Sequence, residues 1–250
     1  MESLDAAKIA LPGVQVRVVQ RCASTNSELM MAAIGGPVLL ATEEQSAGRG
    51  RRGRRWHSRP GDLTFSLARR IGRPAGELTA LPLVAGAAAA GALREFGVKA
   101  ALKWPNDLMV EGMKLGGILV ETRQDAGATR AVFGIGINCS GAAGLEARVG
   151  RRVASLDQFI APSRNAVIRH VARSLMAALD RFEAQGFDAV RQEWEAMHAH
   201  AGQRLRVRLA DGRSVSGIAD GLGEDGSLRL LTRHGALALQ SGRVISARAA

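Results

Sequence analysis

Residues 48–55 read Gly-Arg-Gly-Arg-Arg-Gly-Arg-Arg, five arginines threaded on three glycines, with Trp56 next in line. No hydrophobic core can accept this segment. Each guanidinium is permanently charged and carries a fork of donors that need partners, and glycine adds backbone freedom that is lost on ordering. Any fold for this chain must therefore leave residues 48–55 at its surface, and the composition predicts a mobile, exposed loop that demands an anion. Planar guanidinium forks match phosphate and carboxylate well. The plain alternative is a solvated basic loop, and the segments around it decide between the two.

The flanking sequence is well patterned. Val14–Gln20 alternates as a strand, and Ser24-Thr25-Asn26-Ser27-Glu28 offers a helix start in which Thr25 and Glu28 have capping-box spacing. Gly35-Gly36-Pro37 ends that helix, and Val38–Thr42 reads as a buried strand. Asp62–Arg69 alternates Leu63, Phe65 and Leu67 inward, and Glu77–Phe96 reads as a long alanine-rich helix stopped by Gly97. Strands follow at Val98–Lys103, Lys114–Thr122 and Arg130–Ile137, with Glu111-Gly112-Met113 turning a hairpin between Asp107–Val110 and Lys114–Thr122. Gly141–Gly150 reads as loop, Arg164–Gln185 as an amphipathic helix and Asp188–Ala199 as another. After Gly202 the texture changes to five short strands with Asp-Gly and His-Gly turns, which suits a small SH3-like barrel. The expected domains are 1–202 and 203–250.

At 250 residues the chain suits one domain of medium size, or one with a small satellite. The apolar run Leu81–Leu93 is broken by Pro82, Gly86 and Gly91 and is too short for a bilayer. No apolar segment follows Met1–Lys8 as in a signal peptide, and Cys22 and Cys139 have no metal-ligand or disulfide spacing. The expectation is a cytoplasmic protein with no membrane contact. The net charge of +11 fits a nucleic-acid binder, an enzyme of anionic substrates or a partner of acidic proteins. Arginine supplies 30 of the 34 basic residues, a bias shared with the abundant alanine and glycine, so the few lysines stand out, Lys103 and Lys114 among them.

Four segments carry chemistry as well as structure. Ser24-Thr25-Asn26 either caps a helix or clamps a small neutral ligand such as a urea or amide. Lys103-Trp104-Pro105-Asn106-Asp107 is either a turn with a packed tryptophan or a site for a nucleotide and its Mg²⁺. In Lys114-Leu115-Gly116-Gly117-Ile118-Leu119-Val120-Glu121 the paired glycines mark a bulge or the close approach of a ligand. Gly134-Ile135-Gly136-Ile137-Asn138 lacks the third glycine and the following helix of a dinucleotide fingerprint.

Taken in order and spacing, GRGRRGR at 48–54, KWPNDL at 103–108, KLGGILVE at 114–121 and GIGIN at 134–138, with Ser24-Thr25-Asn26 and Gln45 upstream, resemble the biotin protein ligases over nearly the whole chain. The resemblance implies an α+β catalytic domain of the class II aminoacyl-tRNA synthetase and biotin synthetase type, a mixed sheet with helices on one face, followed by the SH3-like barrel. It implies that Ser24, Thr25, Asn26 and Gln45 hold the biotin ureido ring. Arg49, Gly50 and Arg51 then close over biotin and nucleotide, with Arg54 toward phosphate. Lys114 sits at the biotin carboxylate and α-phosphate, and Gly116 also faces biotin. Lys103, Asn106, Asp107 and Asn138 contact the nucleotide, and Trp56 stacks beside the adenine. Arg51, Lys114 and Asp107 are the implied catalytic residues. Mg²⁺ enters with ATP, and no metal is held by the protein itself.

The implied reaction forms biotinyl-5′-AMP and passes biotin to a lysine of a biotin carboxyl carrier protein, such as that of acetyl-CoA carboxylase. The first catalytic strand begins near Val14, which predicts a form without an N-terminal DNA-binding domain and no DNA partner; a homodimer is compatible with the family. His57 follows Trp56 where a larger apolar residue is common in that family. The rivals are a lipoate or octanoate ligase of the same fold and a basic nucleic-acid-binding module.

Overall fold

The computed structural model describes residues 2–125, 127–149, 152–161 and 163–249. A short helix α1 (Ala6–Ile9) leads into strand β1 (Gln15–Cys22), helix α2 (Thr25–Met31) and strand β2 (Val38–Gln45). After the arginine loop come β3 (Leu63–Ile71), α3 (Leu81–Glu95), β4 (Ala101–Lys103), β5 (Asp107–Val110), β6 (Met113–Asp125) and β7 (Ala128–Ile137). Helices α4 (Ala142–Val149), α5 (Arg164–Gln185) and α6 (Asp188–Ala196) precede five strands: β8 (Arg204–Arg208), β9 (Ser214–Leu222), β10 (Leu228–Thr232), β11 (Gly235–Leu239) and β12 (Arg243–Arg248).

Strands β1–β7 form one mixed sheet in the order β1-β2-β3-β7-β6-β5-β4, parallel only between β1 and β2. Period-two alternation sorts its side chains. Leu39, Ala41, Phe65, Leu67, Phe133 and Ile135 enter the large core under α3 and α5, while Val38, Leu40, Ala68 and Val132 turn to the other face. There α2 covers them with Leu29, so the helices are not all on one face as expected. Arg130 on β7 fixes α2 from its C-terminal end. Its buried guanidinium donates to the carbonyls of Leu29 and Met30, both at 3.2 Å, and of Ala32, three groups a short helix leaves unpaired.

Several element boundaries depart from the sequence pattern; the strand expected from Val98 starts only at Ala101. The segment 75–80 is a 3-10 turn, and the α-helix proper starts at Leu81 with Pro82 in its first turn, where a missing N–H does no harm. Together the helical stretch Ala75–Glu95 is long and apolar enough to cross a bilayer by length and composition, but 67% of its apolar window is buried inside the protein as a core helix. Helix α6 stops at Ala196 because the next residues pair with the sheet edge: Leu102 N donates to Met197 O at 2.7 Å and Ala199 N to Leu102 O at 2.8 Å. Residues 142–149, expected as loop, form α4, with Leu145 buried and Glu146 accepting from Val153 N at 2.8 Å. Gly150 lies outside the described residues.

The five C-terminal strands form an antiparallel sheet of SH3-like arrangement, ordered β11-β10-β9-β8-β12. Its inward residues Leu205, Val207, Leu228 and Leu230 join the same core as the large sheet. The turn at Gly226 (φ 79°) locks the two sheets together, since the indole N–H of buried Trp104 donates to Gly226 O at 3.2 Å.

The joint between α6 and β8 carries two largely buried histidines. Burial, and then the repulsion a protonated His200 would add, push His198 down to about 4; burial, and then Lys103, lower His200. Both rings therefore fold neutral, whereas the unfolded chain protonates them near 6.5. The unfolded state takes up protons first, so the stability present above about pH 6.5 is lost as pH falls toward about 4. Urea unfolding should lose about 1–2 kcal/mol between about pH 7 and about pH 5 through His198 alone. The variant His198→Gln should show a correspondingly flatter profile; an unchanged pH slope would show that the ring does not titrate this way.

Candidate active site

The cavity lies on the α2 face of the large sheet and measures about 380 Å³, a size suited to a small-molecule substrate. The pattern of glycines makes it. Gly117 on β6 pairs with Gly136 on β7, and Leu119 with Gly134, so the same alternation that points Ile118 and Ile135 into the core leaves a nearly bare strip on the opposite face. A Cβ on Gly136 would lie 2.4 Å from the Trp56 ring, and one on Gly134 would lie 2.3 Å from Asn26 Oδ1. Trp56 thus lies against the bare backbone at Gly136, its indole N–H buried without a partner, and Lys114 Nζ stands 6.0 Å from the ring centroid.

One end of the cavity is neutral and tightly hydrogen-bonded. Ser24 is the N-cap of α2 but makes no capping bond with its side chain, and the Thr25/Glu28 capping box expected from spacing does not form. The first free N–H of the helix, on Thr25, instead donates to Gln45 Oε1 at 2.8 Å. Thr25 Oγ1 lies 2.6 Å from Ser66 Oγ, which donates to Asn26 Oδ1 at 2.6 Å. Asn26 Nδ2 donates to Leu119 O at 3.2 Å and Glu121 Oε2 at 2.8 Å. Since a carboxylate and a carbonyl accept only, the Asn26 amide has one possible orientation, with Oδ1 turned toward Ser66.

The other end is cationic. Arg49, Arg51, Arg54, Arg55, Lys103, Lys114 and Arg243 line the wall with one acid, Asp107. Lys114 and Asp107 form an ion pair across the β5–β6 hairpin. Arg51 Nη1 donates to Asn106 Oδ1 at 3.3 Å, and Asn106 is in turn held by Nδ2 on Ile118 O at 2.7 Å. Burial, and then the neighbouring charges of Arg52 and Arg54, pull the Arg51 guanidinium below its usual range, while Asp107 opposes this. A bound anion would relieve that crowding.

The arginine loop is not an open tether. Gly50 N donates to Arg54 O at 2.7 Å and Trp56 N to Gly48 O at 2.9 Å, a small hairpin turned through Arg52 (φ 56°) and Gly53 (φ 70°). Arg49 ties its first limb to Glu121 at 2.8 Å. Arg52, Gly53, Arg54 and Arg55 remain exposed, as their charge requires.

Two residues expected at the ligand do not line the cavity. Gly116 faces away from it: a Cβ there would lie 2.5 Å from Gly136 O, so the glycine permits close approach of β6 to β7. Asn138 is buried behind β7, where its Nδ2 donates to Ala154 O at 2.9 Å and Lys114 O at 3.4 Å, tying the strand end to residues 153–155. Conversely, Ser66 and Glu121, which hold Asn26 from behind the wall, and Arg243, on the wall, belong to the site; the sequence marks Glu121 only as the end of the Lys114–Glu121 motif and the other two not at all. Alternation of β3 could have placed Ser66, as the only side it shares with Thr64 and Ala68 is the α2 face; nothing local marks Arg243.

Residues 18–138 match the biotin/lipoate A/B protein ligase family. The chain is 35% identical over 248 residues to the bifunctional ligase/repressor BirA of Escherichia coli, covering 96% of this chain and 76% of that one. This chain belongs to the biotin protein ligases. It is also 31% identical over 245 residues to the biotin–[acetyl-CoA-carboxylase] ligase of Mycobacterium tuberculosis, covering 94% and 90% of the two chains. Among solved structures, the biotin protein ligase of Aquifex aeolicus in complex with biotin and ATP superposes with a TM-score of 0.81 at 28% identity, over 94% of this chain and 99% of that one. As a biotin protein ligase, the chain carries both the mixed sheet and the SH3-like sheet of that structure's fold.

Proposed function

We propose that the chain activates biotin with ATP to biotinyl-5′-AMP and transfers biotin to a lysine of the carrier domain of acetyl-CoA carboxylase. The observation that carries this is the polarity of one continuous cavity: a hydrogen-bonded neutral end at Thr25, Asn26 and Gln45, and a cationic end at Arg51, Lys103 and Lys114. Biotin has the matching polarity, a neutral urea ring at one end and a carboxylate at the other.

The chemistry needs the cations. A carboxylate oxygen of biotin attacks the α-phosphorus of ATP, the bond from that phosphorus to the bridging oxygen breaks, and pyrophosphate leaves. Two anions must be brought together, and Lys114 and Arg51 stabilise the charge gathered on the transferring phosphoryl group. ATP enters as its Mg²⁺ complex. Asp107 is the carboxylate nearest to hand for that ion, and among the described residues no cluster of three or more His, Cys, Asp or Glu could hold a resident metal. This suits a cation that arrives with the phosphates and keeps most of its waters. The adenylate is a mixed anhydride that water destroys, so a loop folded over the cavity protects it. In the second step the acceptor amine attacks the biotinyl carbonyl, the carbonyl–phosphate C–O bond breaks, AMP leaves, and the amine gives up its proton, for which Asp107, the acid on the cavity wall, is the base we assign. Trp56 offers its ring to the adenine, Arg54 and Arg243 approach the phosphates, and residues 203–250 act as a second domain closing that side.

Purified chain with Mg-ATP should release pyrophosphate on addition of biotin and not of lipoate or octanoate. Release with lipoate or octanoate instead would move it to the acyl-ligase branch of the same family.

A further inference from the structure

Glu121 stands beside the cavity, not on its wall, and is bound from two sides. Arg49 Nη2 donates to both of its oxygens at 2.8 Å, and Asn26 Nδ2 donates to Oε2 at 2.8 Å. Arg49 belongs to the first limb of the arginine hairpin, and Asn26 to the neutral end of the cavity. A single carboxylate on a central strand therefore touches the loop that covers the ligand and the amide that faces it.

We propose that Glu121 is a positioning residue that couples closure of the arginine loop to the orientation of the Asn26 amide. A carboxylate only accepts, so it forces the Asn26 NH₂ toward itself and leaves Oδ1 to Ser66 and to the N–H of a ligand. The same charge draws Arg49 down and brings the hairpin over the cavity. The pairing makes the loop and the neutral end one unit: a ligand that settles against Asn26 meets a loop already drawn toward it, and a displaced loop leaves Asn26 with one anchor fewer. This inference rests on the ligase reading only for the identity of the ligand.

Two variants separate the two halves. Glu121→Gln keeps an oxygen for Asn26 but sets an NH₂ against Arg49; Glu121→Leu removes both partners. In ligand-free protein, trypsin should cut within residues 49–55 about 3- to 5-fold faster in either variant, the size expected for a half-exposed ion pair. The KM for biotin in pyrophosphate release should rise about threefold in Glu121→Gln and about tenfold or more in Glu121→Leu, where a buried amide loses its acceptor, with the change in KM and not in kcat. The reversed pair Arg49→Glu with Glu121→Arg should regain trypsin resistance relative to either single change without regaining the biotin KM. Wild-type rates of cutting and wild-type KM in Glu121→Gln would overturn the inference, whether or not Glu121→Leu folds. If the wild-type chain itself ignores biotin, the ligase reading fails, and the trypsin comparison still decides the hold of Glu121 on the loop.

Discussion

Lys114→Ala is expected to lower biotin-dependent pyrophosphate release by about a thousandfold while weakening biotin binding by about tenfold or less. The ammonium is small, mostly buried and paired with Asp107 beside Trp56, at the cationic end of the cavity. In the ground state one positive charge among several helps to hold a carboxylate. In the transition state charge gathers on the phosphoryl oxygens, and a fixed donor aimed there is worth far more than in water. Removing it also leaves Asp107 as an uncompensated anion facing the incoming phosphates. Lys114→Arg should not rescue the rate, because a long planar fork does not place its charge where the compact ammonium stands, paired with Asp107. Calorimetric biotin affinity measured beside the pyrophosphate rate checks this; equal losses in both would place Lys114 in ground-state binding.

The second large effect is expected from a single methyl group. Gly134→Ala places a Cβ 2.3 Å from Asn26 Oδ1, and Asn26 has no freedom to retreat because Ser66, Leu119 and Glu121 hold it on three sides. Overpacking of this kind costs about 1–3 kcal/mol. The affinity for biotin should fall by about 10- to 100-fold, with a small change in the KM for ATP, whose expected contacts lie at the other end of the cavity. Paired titrations of the two substrates test this. A loss shared equally between biotin and ATP would show that the methyl group disturbs the sheet as a whole and not the neutral end.

Those two residues illustrate how differently the site could be read from the chain. Lys114 stood out as a lysine in a sequence that prefers arginine, at the start of a strand with two glycines, and the structure sets it on the cavity wall. The glycines of GIGIN were visible as a loss of side chains, yet their purpose depends on which neighbour lies opposite: Asn26 over Gly134 and Trp56 over Gly136. Gly116 turns away from the cavity because one residue of offset from Gly117 reverses the face, and Asn138 is lost to it because it lies past the end of β7, where its amide binds the carbonyls of Ala154 and Lys114. Gly141–Gly150 reads as loop because its three glycines are poor helix formers, yet the alanines and Leu145 between them build α4.

By itself the sequence determined what must be wet, what must be small and what alternates. Five arginines could not be buried, period-two patterns set the strands, and a 22-residue amphipathic stretch set α5 at the observed ends. These follow from local chemistry, which adjacent residues carry in full. Only the tertiary structure decided that Ser66 and Glu121, ordinary residues in ordinary strands, hold Asn26 from behind the cavity wall, and that Arg243 joins Thr25, Asn26 and Arg51 on that wall. Their meaning lies in contacts across as many as about two hundred residues of chain, and such contacts exist only once the sheet has set its strand order and register.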